Sequence, residues 1–422
     1  MGGGARIAEV SERAALVGLV SGGLNRVDPD HALDELAGLA EAAGARVVLR
    51  VLQDRPKPDP ATFLGSGKVD TLATACVETG ADVVIFDNEL SPAQLRNLEA
   101  KLDRKVVDRT QLILDIFSRR ARTREGKLQV ELAQLKYMMP RLVGTATALS
   151  RLGGGIGTRG PGETKLETDR RRIRHRIGAL GRDIDGVRRR RSQLRERRHK
   201  EAVPTVALVG YTNAGKTTLF NVLTGGAAQA SDALFVTLDP LVRRVRLPDH
   251  RQLLISDTVG FIDRLPHQLV AAFRATLEEV AAAELLVHVV DAAAPDRSRR
   301  IEAVGRVLAD VDAASVPTLE VFNKCDLLPK DDVRRLQAAN PSALCMSALT
   351  GDGRQELVDA IVSRLSLDIA RVTLEFDAAS DSDRARISQL YRHARVLRHV
   401  TTNGRVSLEV DVPRRLLKQL SA

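Results

Sequence analysis

The chain has 422 residues, enough for two or three domains and too many for one hydrophobic core. Hydrophobic residues make up 44% and charged residues 28%, a folded-protein balance, and no uncharged apolar run approaches the ~20 residues of a membrane-crossing helix. Lys and Arg number 64 against 54 Asp and Glu, a formal net charge of +10 that draws the chain towards a polyanion.

The opening Met-Gly-Gly-Gly-Ala-Arg lacks the apolar stretch of a secretory signal. Ala14–Val20 and Arg46–Leu52 then read as strands, Lys68–Glu78 as a helix and Ala81–Phe86 as a strand. Ser91–Leu102 reads as a helix opened by its Ser-Pro pair, and Lys105–Val107 as a further strand. Strands alternating with helices predict a small parallel α/β domain over residues 1–108. Its Gly-Ser-Gly-Lys68 string is read as a helix-start turn rather than a nucleotide site.

The pattern changes over 109–200. Leu128, Leu132, Leu135, Met139 and Leu142 form an apolar seam of heptad spacing, and Ile173, Ile177, Leu180, Ile184, Val187 and Leu194 form a second. Two seams joined by a loop predict an antiparallel helical hairpin. Gly178, Gly181 and Gly186 weaken the second helix, each by about 1 kcal/mol against Ala, so pairing must hold it together. The tip, Arg151 to Glu163, has six glycines in thirteen residues, which lets backbone approach another surface closely.

Between Lys165 and Lys200 stand 15 Lys/Arg and 5 Asp/Glu, leaving 49 of each sign elsewhere. The excess charge therefore sits in one element. A solvated charged helix is the plain alternative, but the asymmetry favours a polyanion partner, with Arg151, Arg159, Arg188, Arg189, Arg190 and Arg191 as the RNA-contacting candidates. With nine Phe, three Tyr and no Trp, contact to phosphate and folded RNA shape suits the chain better than base stacking.

Glu201-Ala-Val-Pro204 ends the helix and opens a second α/β region, 201–368. Thr205–Val209 is a strand leading into Gly210-Tyr211-Thr212-Asn213-Ala214-Gly215-Lys216-Thr217-Thr218, a phosphate-binding loop in its required strand–loop–helix context. Its N–H groups and the helix start face phosphate oxygens, Lys216 reaches the β and γ phosphates, and the Thr217 hydroxyl ligates Mg²⁺. Phe235-Val236-Thr237-Leu238-Asp239 reads as a first switch, with the Thr237 hydroxyl on the metal in the triphosphate state. A strand then ends in Asp257-Thr258-Val259-Gly260, where Asp257 is the Walker-B carboxylate, directly or through water, and the Gly260 N–H senses the γ-phosphate. Asn323-Lys324-Cys325-Asp326 follows another strand; Asp326 accepts from two guanine donors at once, which adenine cannot supply. Ser347-Ala348-Leu349 brings N–H groups to the guanine O6. Phe261 stands where many GTPases carry a water-orienting glutamine, so hydrolysis is expected to be slow until a partner completes the site. Asn213 fits two roles, a monovalent-cation ligand and a loop-stabilising side chain.

Residues 369–422 read as a small α/β domain, with Val372–Phe376 and Val406–Val412 as strands and a helix from Asp383 to Leu397. Cys76, Cys325 and Cys345 fit neither a disulfide framework nor a zinc site, which suits a reducing cytoplasm. The expected architecture is multi-domain α/β: a parallel α/β unit, a helical hairpin, a doubly wound P-loop domain and the small C-terminal domain.

Taken together these residues resemble the HflX-type, ribosome-associated GTPases. The resemblance rests on Asp108-Arg-Thr-Gln-Leu-Ile-Leu-Asp-Ile-Phe117, Gln129-Val-Glu-Leu-Ala133, the P-loop, and above all Gly155-Ile-Gly-Thr-Arg-Gly-Pro-Gly-Glu-Thr164. It implies binding to the large (50S) ribosomal subunit, splitting of stalled 70S particles under stress, and a glycine-rich loop reaching towards the peptidyl-transferase region. The expected chain is a monomeric GTPase using Mg²⁺ and GTP/GDP, with at most peripheral membrane association. Two other classes compete with splitting: nucleotide-dependent rRNA remodelling or 50S assembly, and a GTP-gated module that docks without splitting.

Overall fold

The structure is a computed structural model that describes residues 11–20, 29–144, 161–200, 203–226, 228, 234–238, 241–247, 251–264, 277, 279–367, 369–414 and 417. It divides into two compact units, one of Met1–Val187 with Asp232–Leu238 and Arg264–Phe273, the other of Arg188–Ser231, Asp239–Asp263 and Arg274–Ala422.

The first unit holds β1 (Arg13–Val20), α1 (Pro29–Ala42), β2 (Arg46–Asp54), α2 (Ser66–Thr79), β3 (Val83–Phe86), α3 (Pro92–Leu102), β4 (Lys105–Asp108), α4 (Arg109–Arg120) and α5 (Arg124–Met138). The strands form one parallel sheet in the order β2-β1-β3-β4. β3 is buried through its length and β1 from Ala14 to Leu19, as continuous apolar runs in a two-sided parallel sheet must be. Gly80, in the left-handed region at φ +62°, ends α2, while Ser91 and Gln94 close a capping box on α3 with Pro92 at its first position.

Residues of the family-like stretch from Asp108 are structural here. The Asp108 carboxylate is fully buried and accepts from the N–H of Gln111 at 2.9 Å, capping α4, and from the N–H of Leu90 and the guanidinium of Arg141, each at 3.2 Å. Arg109 is buried between Asp87, at 2.9 Å, and Glu35. Asp87 also accepts from Arg264 at 2.6 Å, and the rings of Phe117 and Phe235 meet edge-on at 4.7 Å.

α5 buries Gly126, Gln129, Val130, Ala133 and Tyr137, whereas the heptad residues Leu128, Leu132 and Leu135 are only half-buried. The deepest face is thus a neighbouring stripe, set by small residues that admit close packing. α6 (Pro161–Lys200) carries the second seam as expected, with Leu180 and Ile184 buried and Ile173, Ile177 and Val187 half-buried; the burial of Leu194 lies outside the described residues. Arg176 of α6 pairs with Glu131 of α5 at 2.7 Å.

The second unit contains β5 (Thr205–Gly210), α7 (Lys216–Thr224), β6 (Leu241–Arg246), β7 (Gln252–Asp257), β8 (Leu285–Asp291), α8 (Arg297–Asp310), β9 (Thr318–Asn323), α9 (Lys330–Ala339), β10 (Leu344–Cys345) and α10 (Arg354–Arg364). The sheet order is β10-β9-β8-β5-β7-β6, parallel except for edge strand β6. The order reverses beside β5, so the carboxyl end of β5 opens on the crevice where doubly wound sheets take ligands.

β11 (Ile369–Asp377), α11 (Asp381–His393), β12 (Arg395–Thr402) and β13 (Arg405–Pro413) complete the chain as an antiparallel sheet in the order β11-β13-β12. The helix expected to run to Leu397 stops at His393. β12 begins there because Asn403 (φ 51°) and Gly404 (φ 80°) make the tight hairpin that pairs it with β13.

Replacing Asp108 with Ala should lower the unfolding free energy by about 3 kcal/mol, since Arg141 and two N–H groups lose a buried acceptor; urea denaturation followed by circular dichroism reads the change.

Candidate nucleotide site at the carboxyl end of β5

The loop from Gly210 to Lys216 owes its path to three residues. Gly210 has φ +151°, and a β-carbon there would lie 2.2 Å from the Val289 carbonyl oxygen. Asn213 takes the left-handed region at φ 59°, which Asn tolerates better than other side chains. Gly215 has φ +92°, and a β-carbon there would strike the Asn323 amide nitrogen at 2.2 Å. The loop thus runs from the end of β5 into the start of α7, where the helix dipole adds partial positive charge.

Lys216 is buried, and its ammonium donates to the carbonyls of Gly210 at 3.1 Å and Tyr211 at 2.8 Å. Burial pulls its pKa down to about 8, while the Asp257 carboxylate works in the opposite direction. The Thr217 hydroxyl donates to Asp257 at 2.8 Å, so the two oxygen groups chosen for Mg²⁺ stand together. Both are hard oxygen donors, the type Mg²⁺ takes. Thr258 is buried with its hydroxyl donating to Leu208 O at 2.7 Å, tying β7 to β5.

Residues after Asp257 are zipped to the loop. Phe261 N–H donates to Gly210 O at 3.1 Å, and Thr212 N–H donates to Phe261 O at 2.7 Å. The Phe261 ring is 1% exposed, so position 261 is core. Asp263 N–H donates to the Tyr211 hydroxyl at 2.9 Å, and its carboxylate accepts from Arg299 at 2.5 Å and Arg306 at 3.0 Å. A β-carbon on Gly260 would lie 2.8–2.9 Å from Thr212 atoms and 3.2 Å from the Lys216 ammonium, so glycine is required for this close approach.

Asn323 joins the loop to the base-side residues. Its amide donates to Ala214 O at 2.8 Å and its carbonyl oxygen accepts from Ala348 N–H at 2.8 Å. Lys324 pairs with Asp291 at 2.8 Å, and Cys325 N–H donates to Met346 O at 3.1 Å. Asp326 and Leu349 are exposed, Ser347 and Ala348 buried. Burial pushes the Cys325 thiol up to about 12, which keeps it from acting as a nucleophile. Asp291, the partner of Lys324, was not among the expected residues, because it ends a different strand, β8, which the sheet sets beside β9.

Gly210 to Thr218, Asp257 to Gly260, Asn323 to Asp326 and Ser347 to Leu349 all lie in the second unit. Phe235 and Leu238 are buried and Val236 and Thr237 half-buried in a segment grouped with the first unit; Asp239 lies outside the described residues. Of the RNA candidates, Arg189 and Arg190 are exposed on α6. Arg188 and Arg191 lie on the same helix with side chains outside the described residues, as Arg151 and Arg159 are altogether.

Three family models cover most of the chain. Residues 30–118 match one described as GTP-binding GTPase N-terminal, 120–198 one described as GTP-binding GTPase Middle Region, and 205–324 one described as 50S ribosome-binding GTPase. Among relatives, GTPase HflX of Escherichia coli (strain K12) is 48% identical over 393 residues, covering 92% of each chain. GTPase HflX of Caldanaerobacter subterraneus is 47% identical over 370 residues, covering 88% of this chain and 84% of that one. Among solved structures, a GTP-binding protein from Sulfolobus solfataricus in complex with GDP is 25% identical and covers 84% of this chain and 98% of that one, with a TM-score of 0.43.

Burial leaves the Lys216 ammonium partly neutral above pH 8, and a phosphate paired with it would restore its charge. Binding at pH 9 should therefore take up close to ~1 proton, and at pH 7 almost none. Calorimetry in buffers of different ionisation enthalpy measures the uptake.

Proposed function

The chain belongs to the HflX family of ribosome-binding GTPases and hydrolyses GTP, and from this premise we propose that it works on the large (50S) ribosomal subunit, splitting stalled or idle 70S ribosomes under stress. The observation that carries the reading is the pairing of a complete guanine-nucleotide motif set with one helix, α6, whose Lys165–Lys200 stretch carries an excess equal to the whole net positive charge. Ribosomal RNA phosphates are the polyanion such a helix attracts, with salt-sensitive affinity.

In this reading GTP is held through the loop N–H groups and Lys216, and its base through Asp326 and the N–H groups of Ser347 to Leu349. The packed contact of Gly260 with Thr212 supports the Gly260 N–H as the γ-phosphate sensor. Thr217 and Asp257 would hold Mg²⁺, with Thr237 as a further ligand in the triphosphate state, and the metal would neutralise charge on the phosphates. The triphosphate state grips the subunit, with Arg151, Arg159 and Arg188 to Arg191 on RNA, and hydrolysis releases it. The core position of Phe261 supports slow intrinsic turnover, with the ribosome completing the site. No helix among the described residues is long and apolar enough to cross a membrane, and the reading places a monomer in the cytoplasm.

Purified 50S or 70S particles should raise the GTP hydrolysis rate many-fold over the isolated chain, and equal turnover would overturn the reading. With a non-hydrolysable GTP analogue, sedimentation of 70S particles should yield free subunits; intact 70S would mean docking without splitting. Reversing the charges of Arg188 to Arg191 should weaken 50S binding while sparing GTP affinity. The log–log salt dependence of binding should become shallower by roughly one unit for each RNA phosphate that the variant no longer neutralises.

A further inference from the structure

Thr212 has a buried hydroxyl that nothing in the established chemistry of the loop uses. The residue is 3% exposed, and its Oγ1 is buried with no hydrogen-bond partner. Leaving such a hydroxyl unpaired is destabilising, and a valine of the same shape would avoid the cost. Its surroundings say what the hydroxyl waits for. The residue is held by its own N–H, which donates to Phe261 O at 2.7 Å. A β-carbon on Gly260 would stand 2.8 Å from Thr212 Cγ2 and 3.2 Å from the Lys216 ammonium. The Thr212 side chain, the Gly260 main chain and the Lys216 ammonium therefore crowd one spot, and the last two are the groups that handle the third phosphate. Oγ1 and Cγ2 share one β-carbon, so one staggered rotation about χ1 brings Oγ1 to the place Cγ2 now holds. Position 261, meanwhile, is filled by a ring sunk in the core and supplies no polar group.

We propose that the Thr212 hydroxyl orients the attacking water in GTP hydrolysis, in place of the glutamine that other GTPases carry after the glycine. Water donates to Oγ1, and Oγ1 donates to a γ-phosphate oxygen. The water oxygen forms the new bond to phosphorus as the bond to the β–γ bridging oxygen breaks; the electron pair leaves on GDP and the water proton passes to the phosphate. Thr212 gains and loses no net proton. The inference rests on the GTPase reading alone and is independent of the ribosomal partner.

The test compares Thr212→Val, which keeps the shape, with Thr212→Ser, which keeps the hydroxyl, in single-turnover hydrolysis by the full chain. GDP affinity, affinity for a non-hydrolysable GTP analogue, and melting temperature are measured beside it. The valine variant should lose at least about tenfold in rate with GDP affinity unchanged and melting temperature equal or higher, while serine stays within about threefold of the parent. A purely packing role would move stability and GDP affinity together with the rate, and would overturn the proposal. So would a valine variant as fast as the parent. Absence of hydrolysis by the parent chain would instead overturn the reading of the site itself.

Discussion

One buried amide sets the geometry of the nucleotide site. Asn323 is 2% exposed and satisfied on both sides, donating to the P-loop at Ala214 and accepting from the base-side loop at Ala348. The P-loop and the loop that follows β10 come from the ends of different strands, which share a sheet but lie far apart along the chain. A hydrogen bond of this kind has modest net worth when made, yet losing one end leaves a buried group unpaired at about 1–3 kcal/mol. The constraint propagates into sequence: Gly215 admits no side chain because the Asn323 amide occupies the space. The spacing of the two loops is thereby settled within the fold itself, and under the proposed reading little binding energy would go into arranging them around a nucleotide.

The first unit uses the same device with charge. Asp87, at the end of β3, and Asp108, at the end of β4, are buried acids surrounded by arginines and N–H groups. Buried ions of this kind contribute little as a pair but tolerate no loss of a partner, so they specify one arrangement of strand ends. Segments 234–238 and 264 are held within that unit by Phe117 and Asp87, although in sequence they flank the motifs of the nucleotide site.

Legibility in sequence followed the physics of each element. Strands β1, β2, β3, β5 and β7 are apolar runs bounded by turn residues, and buried parallel strands announce themselves in that way. The P-loop and the Asn-Lys-Cys-Asp string were readable because their chemistry needs fixed residue types at fixed spacing. β12 was not, since Ile387, Leu390 and Tyr391 set a helical period that runs on into Val396 and Leu397, and only the Asn403-Gly404 pair marks the hairpin that overrides it. The buried stripe of α5 was missed because glycine, alanine and glutamine carry no hydrophobic signal, though close packing prefers them. The unpaired hydroxyl of Thr212 and the partnership of Asp291 with Lys324 belong to a different class. Both depend on distances between strand ends that no linear pattern encodes.

Position 261 also bears on how this enzyme can change over generations. Phe261 is locked by main-chain bonds to Gly210 and Thr212 and fills core space with its ring. A glutamine arriving there by mutation would bury an amide without partners and forfeit ring packing, a stability loss of several kcal/mol by order of magnitude. Its side chain would still face inward. The core therefore holds this position against a one-step change to glutamine, whatever advantage the amide would bring at the pocket.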